Sequence, residues 1–357
     1  MAATTTEQGQ QQRSSGGLGR GAAPPAPAAH AENLVFAYGH RVALSDVTLS
    51  IESGRLHGIV GPNGAGKTTL LKLLAGKLTD YRGSVRIFGH DPRREAAKVR
   101  ARVGWLPDGP AVYAGMRVVE FLAFCAAAWG VPRRARSGRI ERALAETGLD
   151  HWADVRIRTL SRGWQRRVGI ARLLVTDPDL WLLDEPAAGL DPRARIELMR
   201  LLRMQVEQGK TIVFGSHILA DVGDHCDRLV VLDRGRCRFQ GSVHALIRRY
   251  AAEHALRIRL SPVGSSTDIP VEAVAALLRC SGLGGGSVDG TRGDALVVRR
   301  EASHSFVVSG HWVREHAGDV TALLKALMEA GLRVEAIEEL REPLHQVFWR
   351  VTSPGVS

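Results

Sequence analysis

The chain has 357 residues, 45% hydrophobic and 24% charged, which excludes wholesale disorder and collagen-like structure and, at roughly 100–200 residues per domain, accommodates two or three domains. Four scattered cysteines (Cys125, Cys226, Cys237, Cys280) lack metal-ligand spacing, which argues against a disulfide scaffold and fits a reducing cytosol. The net charge of +11, almost all of it arginine, admits nucleic acid or an anionic membrane surface as partner, although codon bias in a GC-rich genome produces the same picture.

Residues 1–31 are rich in Gly, Ala, Pro, Gln and Ser and cannot bury enough apolar surface to offset chain entropy, so a disordered tail is expected, with the folded body starting near Glu32. No charged-then-apolar leader opens the chain, and no run reaches the ~18 apolar residues that span a bilayer. The longest, 118–131, contains Glu120. From Glu32 onward short apolar runs alternate with longer helical patterns, which predicts an α/β domain with a largely parallel sheet. Strands are expected at 56–60, 84–88, 103–106, 180–183, 211–214 and 228–232, with a helix at 70–78. Between Leu106 and Asp179 the pattern is helical, broken at Pro132 and Gly148, and reads as a helical insertion at about 109–178. The α/β domain then covers 32–250. Past Tyr250 the texture changes, and two mixed segments flank a Gly-rich stretch at 282–286, so a small C-terminal α+β domain is expected over 251–357.

Two motifs carry chemistry. Gly61-Pro62-Asn63-Gly64-Ala65-Gly66-Lys67-Thr68-Thr69 matches the phosphate-binding loop in full, between a predicted strand and a predicted helix. Its glycines let backbone N–H groups turn toward phosphate oxygens, Lys67 reaches the β- and γ-phosphates, and the Thr68 hydroxyl is a Mg²⁺ ligand. Leu180-Trp181-Leu182-Leu183-Asp184-Glu185 is a buried strand ending in two carboxylates, at the strand end where ligands collect in parallel sheets. Asp184 suits Mg²⁺, directly or through water; Glu185, pointing to the other side, suits orienting or deprotonating a water.

The order of these motifs resembles the ATP-binding subunit of an ABC transporter, closely from about Glu32 to Gln240 and loosely beyond. That resemblance implies a P-loop ATPase fold of the ABC type, with ATP and Mg²⁺ as cofactors. It also gives roles to residues that composition would leave ordinary. Tyr38 stands where the family stacks an aromatic on adenine. Leu160-Ser161-Arg162-Gly163-Trp164-Gln165 resembles the signature sequence, through which Ser161 and Gly163 would cap the γ-phosphate of ATP held by the opposite subunit. Gly189-Leu190-Asp191-Pro192 resembles the loop that couples the two sites, and His217 resembles the switch histidine that senses the γ-phosphate. Read without the resemblance, Ser161 is an N-cap, Asp191 belongs to a turn before a helix, and His217 is a strand-end histidine.

Some positions depart from the family pattern. Asp108 stands where many members have Gln and remains able to ligate Mg²⁺ or water, and Arg162 and Trp164 replace the commoner Gly and Gln. These changes resemble the branch that serves ABC-2-type permeases, as does Glu342-Pro343-Leu344-His345-Gln346-Val347-Phe348 near the C-terminus. The resemblance therefore implies an ATPase in which Lys67, Glu185 and His217 are catalytic. It implies a homodimer, or a dimer with a related ATPase subunit, closing on two ATP molecules and driving a separate integral membrane permease. The subunit would lie in the cytoplasm against the inner face of the cell membrane. The segment 118–131 is a candidate permease contact, and the arginines Arg133, Arg134, Arg136, Arg139 and Arg142 form a solvated face or one near lipid headgroups. The alternative is a soluble ABC ATPase with a regulatory or nucleic-acid-related role. A single phosphate loop, no sustained heptads and 5% aromatic residues argue against direct nucleic-acid binding, and intact Lys67 and Glu185 argue against a regulatory subunit without turnover.

Overall fold

The chain begins in an antiparallel layer. β1 (Ala29–Tyr38) turns through Gly39 and His40 into β2 (Arg41–Ile51), and β4 (Arg82–Ile87) pairs with the other edge of β1. Gly39 has φ 57°, the left-handed conformation such a two-residue hairpin turn uses. The structure, a computed structural model, describes residues 26–109, 112–223, 225–250, 255–262, 274–275, 297–302, 305–309, 321–340 and 344–352. β1 opens at Ala29, three residues ahead of Glu32, and Ala28, Ala29 and Ala31 are fully buried. Residues 1–25 of the expected tail lie outside the described residues.

The second layer is a six-stranded sheet in the order β5 (Val103–Leu106), β6 (Leu180–Asp184), β7 (Thr211–Ser216), β3 (Leu56–Val60), β8 (Arg228–Asp233) and β9 (Arg236–Gly241). The first five run parallel, and β9 returns antiparallel through an Arg234-Gly235 turn with φ 47° and 75°. The strand expected at 84–88 is β4 at 82–87, and it pairs antiparallel with β1 rather than joining the parallel sheet.

Alternation along the buried strands makes two cores. Ile59, Leu182, Val213 and Val230 face the antiparallel layer and α1 (Lys67–Leu74), whose Leu70, Leu71, Leu73 and Leu74 fill the space between; α2 (Ala96–Arg102) adds Val99. Val60, Trp181, Leu183 and Phe214 face the opposite way. α1 ends at Leu74, earlier than the expected 78, where Ala75 caps it and Gly76 takes φ 65°.

The insertion is helical. α3 (Val118–Ala128), α4 (Arg133–Thr147) and α5 (Arg162–Thr176) share a core of Phe121, Leu122, Leu144, Val168 and Ala171. α5 then leads to β6, and α6 (Pro192–Glu207) leads to β7, packing Leu198 and Leu202 on the far face of the sheet. α7 (Leu219–Gly223) and α8 (Val243–Tyr250) complete that face.

A third sheet, antiparallel, follows in the order β11 (Val297–Ala302), β12 (Ser305–Ser309), β10 (Ala255–Pro262), β13 (Leu332–Leu340), with α9 (Thr321–Glu329) packed on it through Leu323 and Leu327. The last helix, α10 (Leu344–Thr352), leaves this unit: its Val347 and Val351 are buried with Val222 and Leu246 in the core beneath the parallel sheet. The Gly-rich stretch 282–286, and Glu342 and Pro343 of the C-terminal motif, lie outside the described residues.

Candidate active site

The parallel strands bring their carboxyl ends to one edge of the sheet, and the loops that leave β3, β5, β6 and β7 meet there. The loop after β3 is built around glycine. A Cβ at Gly61 would sit 2.3 Å from the Leu232 carbonyl oxygen, and at Gly66 (φ 106°) one would sit 2.7 Å from the Leu44 side chain. The loop therefore wraps closely enough for Lys67 to fold back under it, where its Nζ donates to the Gly61 and Pro62 carbonyls at 2.8 and 3.3 Å. Burial holds the Lys67 ammonium below its usual pKa, against the attraction of Glu185 and Asp184.

Thr68, at the start of α1, donates through Oγ1 to Asp184 Oδ1 at 3.1 Å, joining the loop to the end of β6. Asp184 is buried. Burial raises its pKa, the charges of Asp108 and Glu185 add to that, and the Thr68 bond and Lys67 oppose it. A hydroxyl and a carboxylate oxygen placed together are the hard donors that Mg²⁺ takes, so these residues fit the ion.

Glu185 leaves the strand with φ 50°, its N–H donating to the Gly215 carbonyl at 3.0 Å. This turn places its carboxylate between two basic groups: Oε1 is 3.9 Å from Lys67 Nζ, and Oε2 is 2.8 Å from His217 Nδ1. His217, just past β7, has a half-exposed side chain.

Lys67, Thr68 and Glu185 line a cleft of about 600 Å³, while Asp184 and His217 stand behind it, bonded to Thr68 and to Glu185. Of the sequence candidates, the segment from Asn63 through Gly64, Ala65 and Gly66 to Thr69, together with Tyr38, Asp108 and Glu185, lines it. Tyr38 is exposed at its rim, packed edge-on against Phe36 with ring centroids 4.9 Å apart. Asp108 borders the cleft, but its Oδ1 accepts from Arg166 Nη2 at 3.0 Å, so the carboxylate is engaged with α5 rather than with Thr68 or Asp184.

Three candidates lie elsewhere. Ser161 caps α5, accepting from Trp164 N at 3.5 Å; Gly163 packs near Leu190; Asp191 caps α6, accepting from Ala194 N at 2.9 Å. None of the three lines the cleft of this chain. Conversely, Arg41, Arg234 and Gly235 line it without having been singled out. The Arg-Gly pair between two apolar runs was a legible hairpin signal, whereas Arg41 comes from the β1–β2 hairpin, which the pattern reading did not resolve. Arg166, which meets Asp108 and the Glu185 loop, carries no local signal in the sequence.

The family described as "ABC transporter" matches residues 44–188. The Nod factor export ATP-binding protein I of Cupriavidus metallidurans is 35% identical over 215 residues, covering 60% of this chain and 71% of that protein. The linearmycin resistance ATP-binding protein LnrL of Bacillus subtilis is 28% identical over 245 residues, covering 69% and 79%. Among solved structures, an ATP-binding subunit of an ABC transporter superposes with TM-score 0.59 at 28% identity, over 62% of this chain and 92% of that one. The dimeric bacterial ABC transporter cassette MJ0796 gives 0.56 at 25%, over 60% and 98%. Likeness of this extent in both sequence and fold, reaching most of the length of the relatives, places the chain in the family of ABC transporter ATP-binding proteins.

Proposed function

We propose that the cleft at the sheet edge is where this ATP-binding subunit holds and hydrolyses ATP, with Glu185 as the group that polarises the attacking water. The observation that carries the reading is the convergence of Lys67, Thr68 and Glu185 on one cleft, with Asp184 bonded to Thr68 and His217 to Glu185. Lys67 exchanges its two loop carbonyls for phosphate oxygens, which the loop N–H groups also meet. Thr68 and Asp184 would hold Mg²⁺, and the ion when bound supplies positive charge against the developing charge on the phosphates. His217 orients the Glu185 carboxylate, which accepts a hydrogen bond from water in line with the γ-phosphate. Tyr38 at the rim offers a ring for the adenine.

Ser161 and Gly163 lie away from the cleft of their own chain, which supports their acting on nucleotide held by a second subunit, so the working unit is a dimer. The dimeric form of the MJ0796 cassette supports the same reading. Among the described residues no helix is long and apolar enough to cross a membrane, so coupling runs through a separate permease at the inner membrane face. The exposed rings of Tyr113, Phe124 and Trp129 border a cleft of about 480 Å³ on the helical insertion, an apolar seat for a cytoplasmic helix of that permease. The relatives named for Nod factor export and linearmycin resistance support an export system of the ABC-2 type.

The test compares ATP hydrolysis and oligomeric state of wild type and Glu185→Gln. Wild type turns over, while the variant loses at least about a hundredfold in kcat and accumulates as an ATP-bound dimer seen by light scattering. A variant that hydrolyses as fast as wild type removes Glu185 from the role.

A further inference from the structure

One guanidinium joins three separated stretches of chain at this site. Arg166, in the second turn of α5, is 13% exposed. Its Nη2 donates to the Asp108 carbonyl at 2.5 Å and to Asp108 Oδ1 at 3.0 Å. Its Nη1 donates to the carbonyl of Glu185 and, at 2.9 Å, to that of Ala188. The planar fork of arginine is what permits this: two nitrogens diverge from one carbon and serve acceptors on opposite sides, which a lysine ammonium on a single stem does not do.

The Glu185 contact matters most. Its φ of 50° lies in the left-handed region, which L-residues with a Cβ enter at a cost of roughly 1 kcal/mol and hold only where neighbours fix them. Three bonds do so here. On the N-terminal side the Glu185 N–H is held by the Gly215 carbonyl of β7; on the C-terminal side its carbonyl accepts from Ala188 N at 3.1 Å, within the loop, and from Arg166, which ties it to α5. The carboxylate direction, onto His217 at 2.8 Å and toward Lys67, follows from that backbone. We infer that Arg166 is a positioning residue for Glu185: by gripping the Glu185 carbonyl from α5 it keeps the carboxylate aimed at the reacting water. Its grip on Asp108 ties the β5 exit to the same point, so the loops that leave β5 and β6 are both fastened to α5.

The inference rests on Glu185 being the group that acts on water. The experiment measures kcat and KM for ATP, binding of a fluorescent ATP analogue and the melting temperature, using the full chain as wild type, Arg166→Gln, Arg166→Lys, Glu185→Gln and Arg166→Gln/Glu185→Gln. The Arg166→Gln variant loses roughly ten- to a hundredfold in kcat, while KM and analogue binding stay within about threefold. Arg166→Lys keeps the charge and still loses about tenfold or more, since it drops one side of the fork. Added to Glu185→Gln, Arg166→Gln lowers the residual rate no further, because both act through one carboxylate. The role is overturned if Arg166→Gln keeps wild-type kcat, if kcat and analogue binding fall together, or if lysine restores full turnover. Should the glutamine variant fail to fold, the lysine variant decides by the same split. Wild-type turnover in Glu185→Gln sinks the water-activating reading itself, whereas an inactive Glu185→Gln beside a fully active Arg166→Gln sinks only the role of Arg166.

Discussion

Residues at this site are held by opposing demands, and Asp184 is the clearest case. It is 2% exposed, and its carboxyl titrates above the ordinary value chiefly because burial disfavours the charge. A raised carboxyl pKa means that the fold binds this proton more tightly than the unfolded chain does. The resulting stability is present below the unfolded pKa of about 3.9 and is lost as pH rises through the folded value. At pH 7, without nucleotide or magnesium, the protein carries a buried carboxylate held by Thr68. Asp184→Asn removes the charge and keeps an oxygen to accept from Thr68. Its melting temperature in the nucleotide-free state should rise by about 2–4 °C at pH 7, with the gap closing toward pH 4. Calorimetry at both pH values checks this, and a lower melting temperature at pH 7 contradicts it. The residues of the phosphate loop and the Asp184-Glu185 pair were legible because their chemistry is local: adjacent residue types prescribe turn, helix start and strand end. Arg166 was not, since its partners lie 58, 19 and 22 positions away and no spacing announces them.

At the scale of elements, side chains that resemble site residues also do helix work. Asp191 accepts from Ala194 N at 2.9 Å and precedes Pro192 at the first position of α6, an arrangement that satisfies a free N–H and presets the first turn. Asp191→Ala should destabilise the protein by about 1 kcal/mol, lowering the melting temperature by roughly 2–4 °C, while Asp191→Asn recovers most of it. An equal loss in both variants would mean that the charge, rather than the cap, is what counts. The strands of the parallel sheet were legible as short apolar runs because both faces are buried. β1 and β2 were not singled out: β1 opens on alanines that continue the texture of the preceding tail, and both strands gain their pairing from each other and from β4. Composition separates tail from strand poorly when the inward residues are small.

Across the whole molecule, the C-terminal segment is bound to the rest through α10. Val347 is fully buried against Val222 and Leu246, Leu344 packs against Gly223 of α7, and Arg350 donates to the Tyr250 carbonyl at the end of α8. α7 follows His217 by one residue, so α10 braces the segment that leaves the proposed active site. Val347→Ala should cost about 1–3 kcal/mol and lower the unfolding transition of the ATPase core itself. Were the C-terminal segment independent, a two-transition melt would move only in its own part.

What chain order alone prescribes here is the local chemistry: a loop that must be glycine-rich to bring N–H groups onto phosphate, a strand that ends in two carboxylates, helices begun by Ser161 and Asp191. Such features depend on neighbours a few residues away, and backbone geometry carries them from sequence to shape. Folding in three dimensions settled the rest. It set Glu185 against His217 and Lys67, gave Asp108 to Arg166, moved the strand near 84–88 into the antiparallel layer and returned α10 to the first core. Each of these is a choice among distant partners, made by which surfaces fit and which polar groups find acceptors once the sheet has formed.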